Sequence, residues 1–224
     1  MIKKNYLGLS FSRLIFALAS TVIITICGLL SGQAYPEIAV SAFSVVTLMY
    51  LVEGKLTGCV CGMVYCIFYA AICFSKGFYG LMAFQIFVAV PMYIVSLFTW
   101  KKNKHGDTVA VRKMSWKKLS LVFVIALAGF AGAYFILGKA GSSSALFDGL
   151  IISLGTLGTL LLSMRYVEQW YFNIGANATV LTLWIYKSLE DISNLNFAIC
   201  AFVFVVSNIM ALISWIKMEK AQRN

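Results

Sequence analysis

Five side chains between Arg165 and Trp184 define the chemistry open to this sequence: Tyr166, Trp170, Asn173, Asn177 and Trp184. They recur at steps of four, three, four and seven, which at 3.6 residues per turn places all five on one face of a helix. Each Asn carboxamide both donates and accepts hydrogen bonds, and each Trp offers a broad flat surface. Such a set recognises a flat, polar small molecule. It does not break bonds, because no nucleophile, base or paired carboxylate accompanies it. The competing reading is that the two Asn bond neighbouring helices, as polar residues do inside membrane bundles. Two Asn and a Trp on one stripe favour a polar pocket.

Other polar residues join this set as candidates. Gln85, Tyr93 and Asn208 each place a hydrogen-bonding group within an apolar run. Asp148, Arg165 and Glu168 stand at run ends, as entrance or gate groups. The alternative for Arg165 and Glu168 is an i, i+3 salt bridge orienting their helix, and for Asp148 a favourable place near a helix dipole. Pro91 is expected to kink its helix and free a carbonyl. Trp100, Trp116 and Trp215 read as interfacial anchors. The single histidine, His105, lies in a charged stretch, and Cys59 and Cys61 lack a second pair. The sequence therefore predicts no catalytic group, no metal and no cofactor.

The elements that must position these residues are membrane helices. The 224 residues are 61% hydrophobic and 12% charged, with mean hydropathy +0.89, a composition of integral membrane proteins. Eight apolar runs can be marked, at 14–31, 36–52, 56–74, 78–99, 119–137, 146–164, 167–186 and 195–216. Each approaches the roughly 20 residues that cross a bilayer as a helix. Eight crossings put fifteen of the eighteen Lys and Arg on the side of both termini, leaving Lys76, Lys139 and Lys187 opposite. The positive-inside rule makes the basic side cytoplasmic, so both termini are predicted there, in a multi-pass protein of the cell membrane. The net charge of +10 then reports topology and contact with anionic lipid, and no nucleic acid partner is expected. The basic stretch 101–118 reads as a solvated cytoplasmic loop. Glu37, Glu53, Asp148 and Glu168 all fall at run ends, so no carboxylate is placed for ion coupling and uniport is expected.

A weak internal repeat divides the chain further. Aligning Trp100 with Trp215 pairs Tyr93 with Asn208 and Gln85 with Cys200, and each run closes a group of three helices. One helix between the groups lets both enter the membrane in the same direction, as a parallel repeat. The predicted organisation is an extra N-terminal transmembrane helix in 1–34, a first three-helix bundle in 35–100 and the basic loop 101–118. A linker helix and loop in 119–144, a second bundle in 145–217 and a cytoplasmic tail in 218–224 follow. The fold class is an all-α integral membrane protein with eight transmembrane helices, the extra helix preceding a 3+1+3 core. Repeat transporters bind near the midplane between repeats, where Tyr93, Asn208 and the stripe are candidates to meet.

From about Ser41 to Lys217 the chain resembles the PnuC family of vitamin transporters. The resemblance rests on Tyr79-Gly80, Pro91, Trp100-Lys101-Lys102, Phe147-Asp148-Gly149, Arg165-Tyr166, Glu168-Gln169-Trp170, Asn177, Asn208 and Trp215. It implies a SWEET-like arrangement of the two bundles, a homotrimer, and facilitated uptake of a vitamin precursor that a cytosolic kinase then traps. Nicotinamide riboside is the first substrate implied, with thiamine next and deoxynucleosides or riboflavin after it. The nicotinamide riboside branch resembles Trp-x-x-Trp-x-x-x-Asn where this chain has Trp170-x-x-Asn173-x-x-x-Asn177. That branch also tends to carry Asn at the place of Gln85 and Gln at the place of Tyr93. An enzyme embedded in the membrane, or a scaffold without a ligand, is the reading from another class.

Overall fold

The structure is a computed structural model that describes all residues except 1–4, 7–8, 76–81, 83, 142–143, 191, 193–194 and 224. Lys3, Lys4, Lys76, the motif residues Tyr79 and Gly80, and the start of the predicted run at 78 lie outside the described residues. The described residues form eight α-helices, a short π-helical segment and two small hairpins, in two compact units that divide between Ala110 and Val111.

In the first unit a two-residue hairpin, β1 (Asn5–Tyr6) with β2 (Leu9–Ser10), leads into α1 (Phe11–Leu30), α2 (Tyr35–Val52) and α3 (Leu56–Ser75). A π-helical segment, Gln85–Ala89, runs directly into α4 (Val90–Lys102). Pro91 explains the change of pitch. It has no N–H for the Phe87 carbonyl and its ring crowds that turn, so the ladder widens and Val90 N–H reaches back to Gln85 O. The predicted kink is thus a π segment. Successive helices pack as neighbours, α1 on α2, α2 on α3 and α3 on α4.

The second unit holds α5 (Trp116–Lys139), α6 (Ala145–Ser163), α7 (Gln169–Glu190) and α8 (Leu195–Arg223), again packed in chain order. The helices expected as the extra and linker elements, α1 and α5, each pack on the helix that follows them. No break stops α8 at 217. Glu219 and Arg223 form an i, i+4 ion pair on the continuing helix, so the predicted tail is helical through Arg223.

Among the described residues six helices, α1, α2, α3, α5, α6 and α8, are long and apolar enough to cross a bilayer. α7 has 22 residues but falls outside that group, because Gln169, Asn173 and Asn177 dilute its apolar content.

Two expectations need correction. Trp100 and Trp215 are fully buried at 0% exposure, whereas Trp116 is 85% exposed. Only Trp116 can sit at an interface; the other two are core residues. The basic stretch 101–118 is not a free loop. Lys104–His105 (β3) pairs with Thr108–Val109 (β4), and buried Val109 donates to Gly54 O at 2.9 Å in the first unit. In the second unit Val111 N–H donates to Gln222 Oε1 at 2.8 Å, and Arg112 N–H to Arg165 O at 2.9 Å. Extended backbone packed on a protein must find partners for its N–H groups, and these contacts supply them.

Candidate functional site

The polar stripe depends on where α7 begins. α6 ends in a six-residue closure: Arg165 N–H donates to Leu162 O at 3.0 Å and Tyr166 N–H to Leu161 O at 3.1 Å. The same pattern ends α2, where Gly54 N–H meets Leu51 O and Lys55 N–H meets Tyr50 O, both at 3.0 Å. This closure requires a left-handed residue. Gly54 supplies it at φ 67°, while Arg165 adopts it at φ 66°, the one positive-φ non-glycine among the described residues. Val167 N–H then donates to Arg112 O at 2.9 Å. α7 therefore starts at Gln169, and Arg165, Tyr166 and Glu168 precede it. The predicted five-residue face loses Tyr166, whose ring lies beneath the Arg112 guanidinium, 4.9 Å from its centroid. Burial and the adjacent Arg112 charge lower the Arg165 pKa, with Tyr166 acting the other way.

Glu168 does not form the predicted bridge to Arg165. Its Oε1 accepts the Met114 N–H at 3.0 Å, which fixes the chain entering α5, and its Oε2 is buried without a partner. Beside it lies a cavity of about 190 Å³ lined by Lys113, Val167, Glu168, Tyr171, Ile216, Glu219 and Lys220. Glu168 and Glu219 are buried there, while Lys113 and Lys220 are exposed. This charged cavity was not foreseen, since its residues come from three separate stretches of sequence. Asp148 lies in the first turn of α6, half-buried, where its charge suits the helix N-terminus.

Along α7 the remaining stripe is real but long. Trp170 and Trp184 are fourteen residues apart, about 21 Å along the axis. One small molecule cannot touch both. Trp184 stacks on Phe197, centroids 4.4 Å apart and planes at 25°, which ties α7 to α8. Trp170 is 1% exposed and meets Trp215 edge-on at 5.6 Å and 77°, with its Nε1 unpartnered. Its ring is enclosed, not an open plate. Between them Asn173 lays its carboxamide against Gly158 of α6, where any Cβ would overlap Oδ1. Asn177 Nδ2 donates to Asn173 O at 2.9 Å.

Gln169, absent from the predicted set, is the most exceptional polar side chain here. It is fully buried, and neither Oε1 nor Nε2 has a hydrogen-bond partner. Glu168, Gln169 and Trp170 thus present four sealed polar atoms in succession without partners. Each such group costs on the order of 1–3 kcal/mol, so their clustering marks a site and not ordinary core. A sequence signal existed: Gln169, Asn173 and Asn177 are amides at i, i+4 and i+8.

The other candidates are divided between the units. Asn208 of α8 is buried and donates its Nδ2 to Phe204 O at 2.7 Å. In the first unit, buried Gln85 opens the π segment, and the half-buried Tyr93 ring fills the space left by Gly62 of α3. Among the described residues no group of three or more metal-ligating side chains occurs. The arrangement can present amides and aromatic rings to a ligand.

The nicotinamide riboside transporter PnuC of Neisseria mucosa is 23% identical over 185 residues, covering 79% of this chain and 70% of that protein. The nicotinamide riboside transporter PnuC of Haemophilus influenzae is 27% identical over 150 residues, covering 65% of this chain and 66% of that protein. This chain thus spans about two thirds of the length of those relatives. A crystal structure of the vitamin B3 transporter PnuC superposes with a TM-score of 0.80 at 18% identity, over 96% of this chain and 95% of that one, a likeness of fold. The family model for nicotinamide mononucleotide transporters matches residues 34–217, and the chain belongs to that family, the PnuC proteins.

Proposed function

We propose that this protein is a membrane transporter that imports nicotinamide riboside by facilitated diffusion. The reading is carried by α7, an amide-lined helix of membrane length in a chain of this family. Its amides suit a carboxamide and ribose hydroxyls. The positions of the carboxylates support uniport. Among the described residues they stand at helix ends or in connections, so none is placed to couple an ion at membrane depth.

The finer organisation belongs to the same proposal. All eight helices cross the plasma membrane with both termini in the cytoplasm, and the matching closures after α2 and α6 support a SWEET-like 3+1+3 repeat of helices 2–4 and 6–8. Within it 35–100 and 145–217 are the bundles, 1–34 an added helix, 119–144 a linker, and 101–118 and 218–224 cytoplasmic segments. The protein works as a homotrimer, its basic face on anionic lipid, and a cytosolic kinase traps the imported nucleoside. Purified protein in liposomes should equilibrate labelled nicotinamide riboside without concentrating it. Concentration under an imposed sodium or proton gradient at clamped potential overturns uniport; uptake of thiamine, deoxynucleosides or riboflavin in its place overturns the substrate.

A further inference from the structure

We infer that Gln169 is a specificity-determining residue of the transport path, reading a primary carboxamide on the carried molecule. This rests on the transport reading above and goes beyond it, because it assigns one ligand group to one side chain. Three observations carry it. Gln169 is fully buried with both amide atoms unpartnered, so the side chain is sealed away from water in this conformation without the bonds that sealing normally requires. It opens α7 on a pinned foundation: Gln169 N–H reaches Tyr166 O at 3.3 Å, and the Arg112 backbone brackets Arg165 and Val167. Finally, Gln169, Asn173 and Asn177 fall at i, i+4 and i+8, an arc of about 80°, with Trp170 at its far edge, so Gln169 borders the polar stripe.

The chemistry follows from the amide itself. Gln169 offers a donor at Nε2 and an acceptor at Oε1, fixed side by side. A primary carboxamide carries the complementary pair and satisfies both at once. A carboxylate accepts from Nε2 but sets an oxygen against Oε1, and a ring lacking the group leaves both atoms unpaired. In a site sealed from water those mismatches are not relieved by solvent, which is how a buried amide discriminates.

The test uses full-length protein in detergent and calorimetric titration with three nucleosides: nicotinamide riboside, nicotinic acid riboside and pyridine riboside, which lacks the carboxamide. The readout is the ratio of the pyridine riboside Kd to the nicotinamide riboside Kd, which a purely structural role would leave alone. Wild type should show a ratio of about 10 to 100, with nicotinic acid riboside no tighter than pyridine riboside. Gln169→Leu should bring the ratio close to one. Gln169→Glu, of nearly the same shape, should lower it severalfold and serves if the leucine variant does not fold. A ratio unchanged in either folded variant, or near one in wild type, overturns the inference while leaving the transport reading intact. Wild type that binds none of the three overturns nicotinamide riboside as the carried molecule, the reading on which the inference rests.

Discussion

Replacing Gly158 with alanine probes how α6 seats the polar stripe of α7. A Cβ at Gly158 would overlap Asn173 Oδ1 and lie 3.3 Å from its Nδ2, so the whole carboxamide must move. Gly155 lies less than one turn earlier on the same helix, and a Cβ there meets nothing within 4 Å. Both substitutions gain the roughly 1 kcal/mol helix preference of Ala over Gly, so their difference isolates the overlap. Displacing a packed side chain in this way costs about 1–3 kcal/mol. For a chain of this size that is a midpoint about 2–12 °C lower for Gly158→Ala than for Gly155→Ala, measured by thermal unfolding in one detergent. Adding Asn173→Ala removes the overlapping atoms, so a double-mutant cycle should return a coupling of at least about 1 kcal/mol. Equal midpoints for the two glycine variants, or strictly additive effects with Asn173→Ala, would refute the contact between α6 and the stripe.

Three further outcomes are expected. Arg165 occupies a left-handed position, so Arg165→Gly should be more stable than Arg165→Ala by about 1 kcal/mol in thermal unfolding, both variants having lost the same side-chain contacts. Glu168→Leu leaves the Met114 N–H without its acceptor and should cost about 1–3 kcal/mol, with Glu168→Gln costing less; equal losses would point to the charge and not to the bond. Burial raises the Glu53 pKa, but the Ser10 N–H at 3.0 Å and the paired Arg13 outweigh it, so the net value is lowered. A depressed carboxyl stabilises above its ordinary range and loses that contribution as pH falls through the lowered value, so the acid-side decline in midpoint should be shallower in Glu53→Gln.

Fold class and family were legible in the sequence because both rest on signals that accumulate along the chain. Long uncharged runs, lopsided Lys and Arg, and the Arg-Tyr-x-Glu-Gln-Trp stretch each survive errors at single positions. The predicted run boundaries at 36–52, 56–74 and 146–164 fall within a residue of α2, α3 and α6. α7 was harder. Its apolar pattern begins at 167, but the Arg165 closure, a backbone state that arginine rarely adopts and that composition does not signal, delays the helix to Gln169.

The site shows the same division more sharply. Spacing alone put Asn173, Asn177 and Trp170 on one helix face, since helical periodicity is a local property. It did not show that Trp170 is enclosed by Trp215, that Trp184 stacks on Phe197, or that Arg112 covers Tyr166, since each partner is far away in sequence. Nor could sequence distinguish Gln169 from any other amide: whether a buried polar atom has a partner depends on every chain segment that surrounds it. What can bind is written in residue types and their period, and what is left unsatisfied, and so able to bind, is decided by packing.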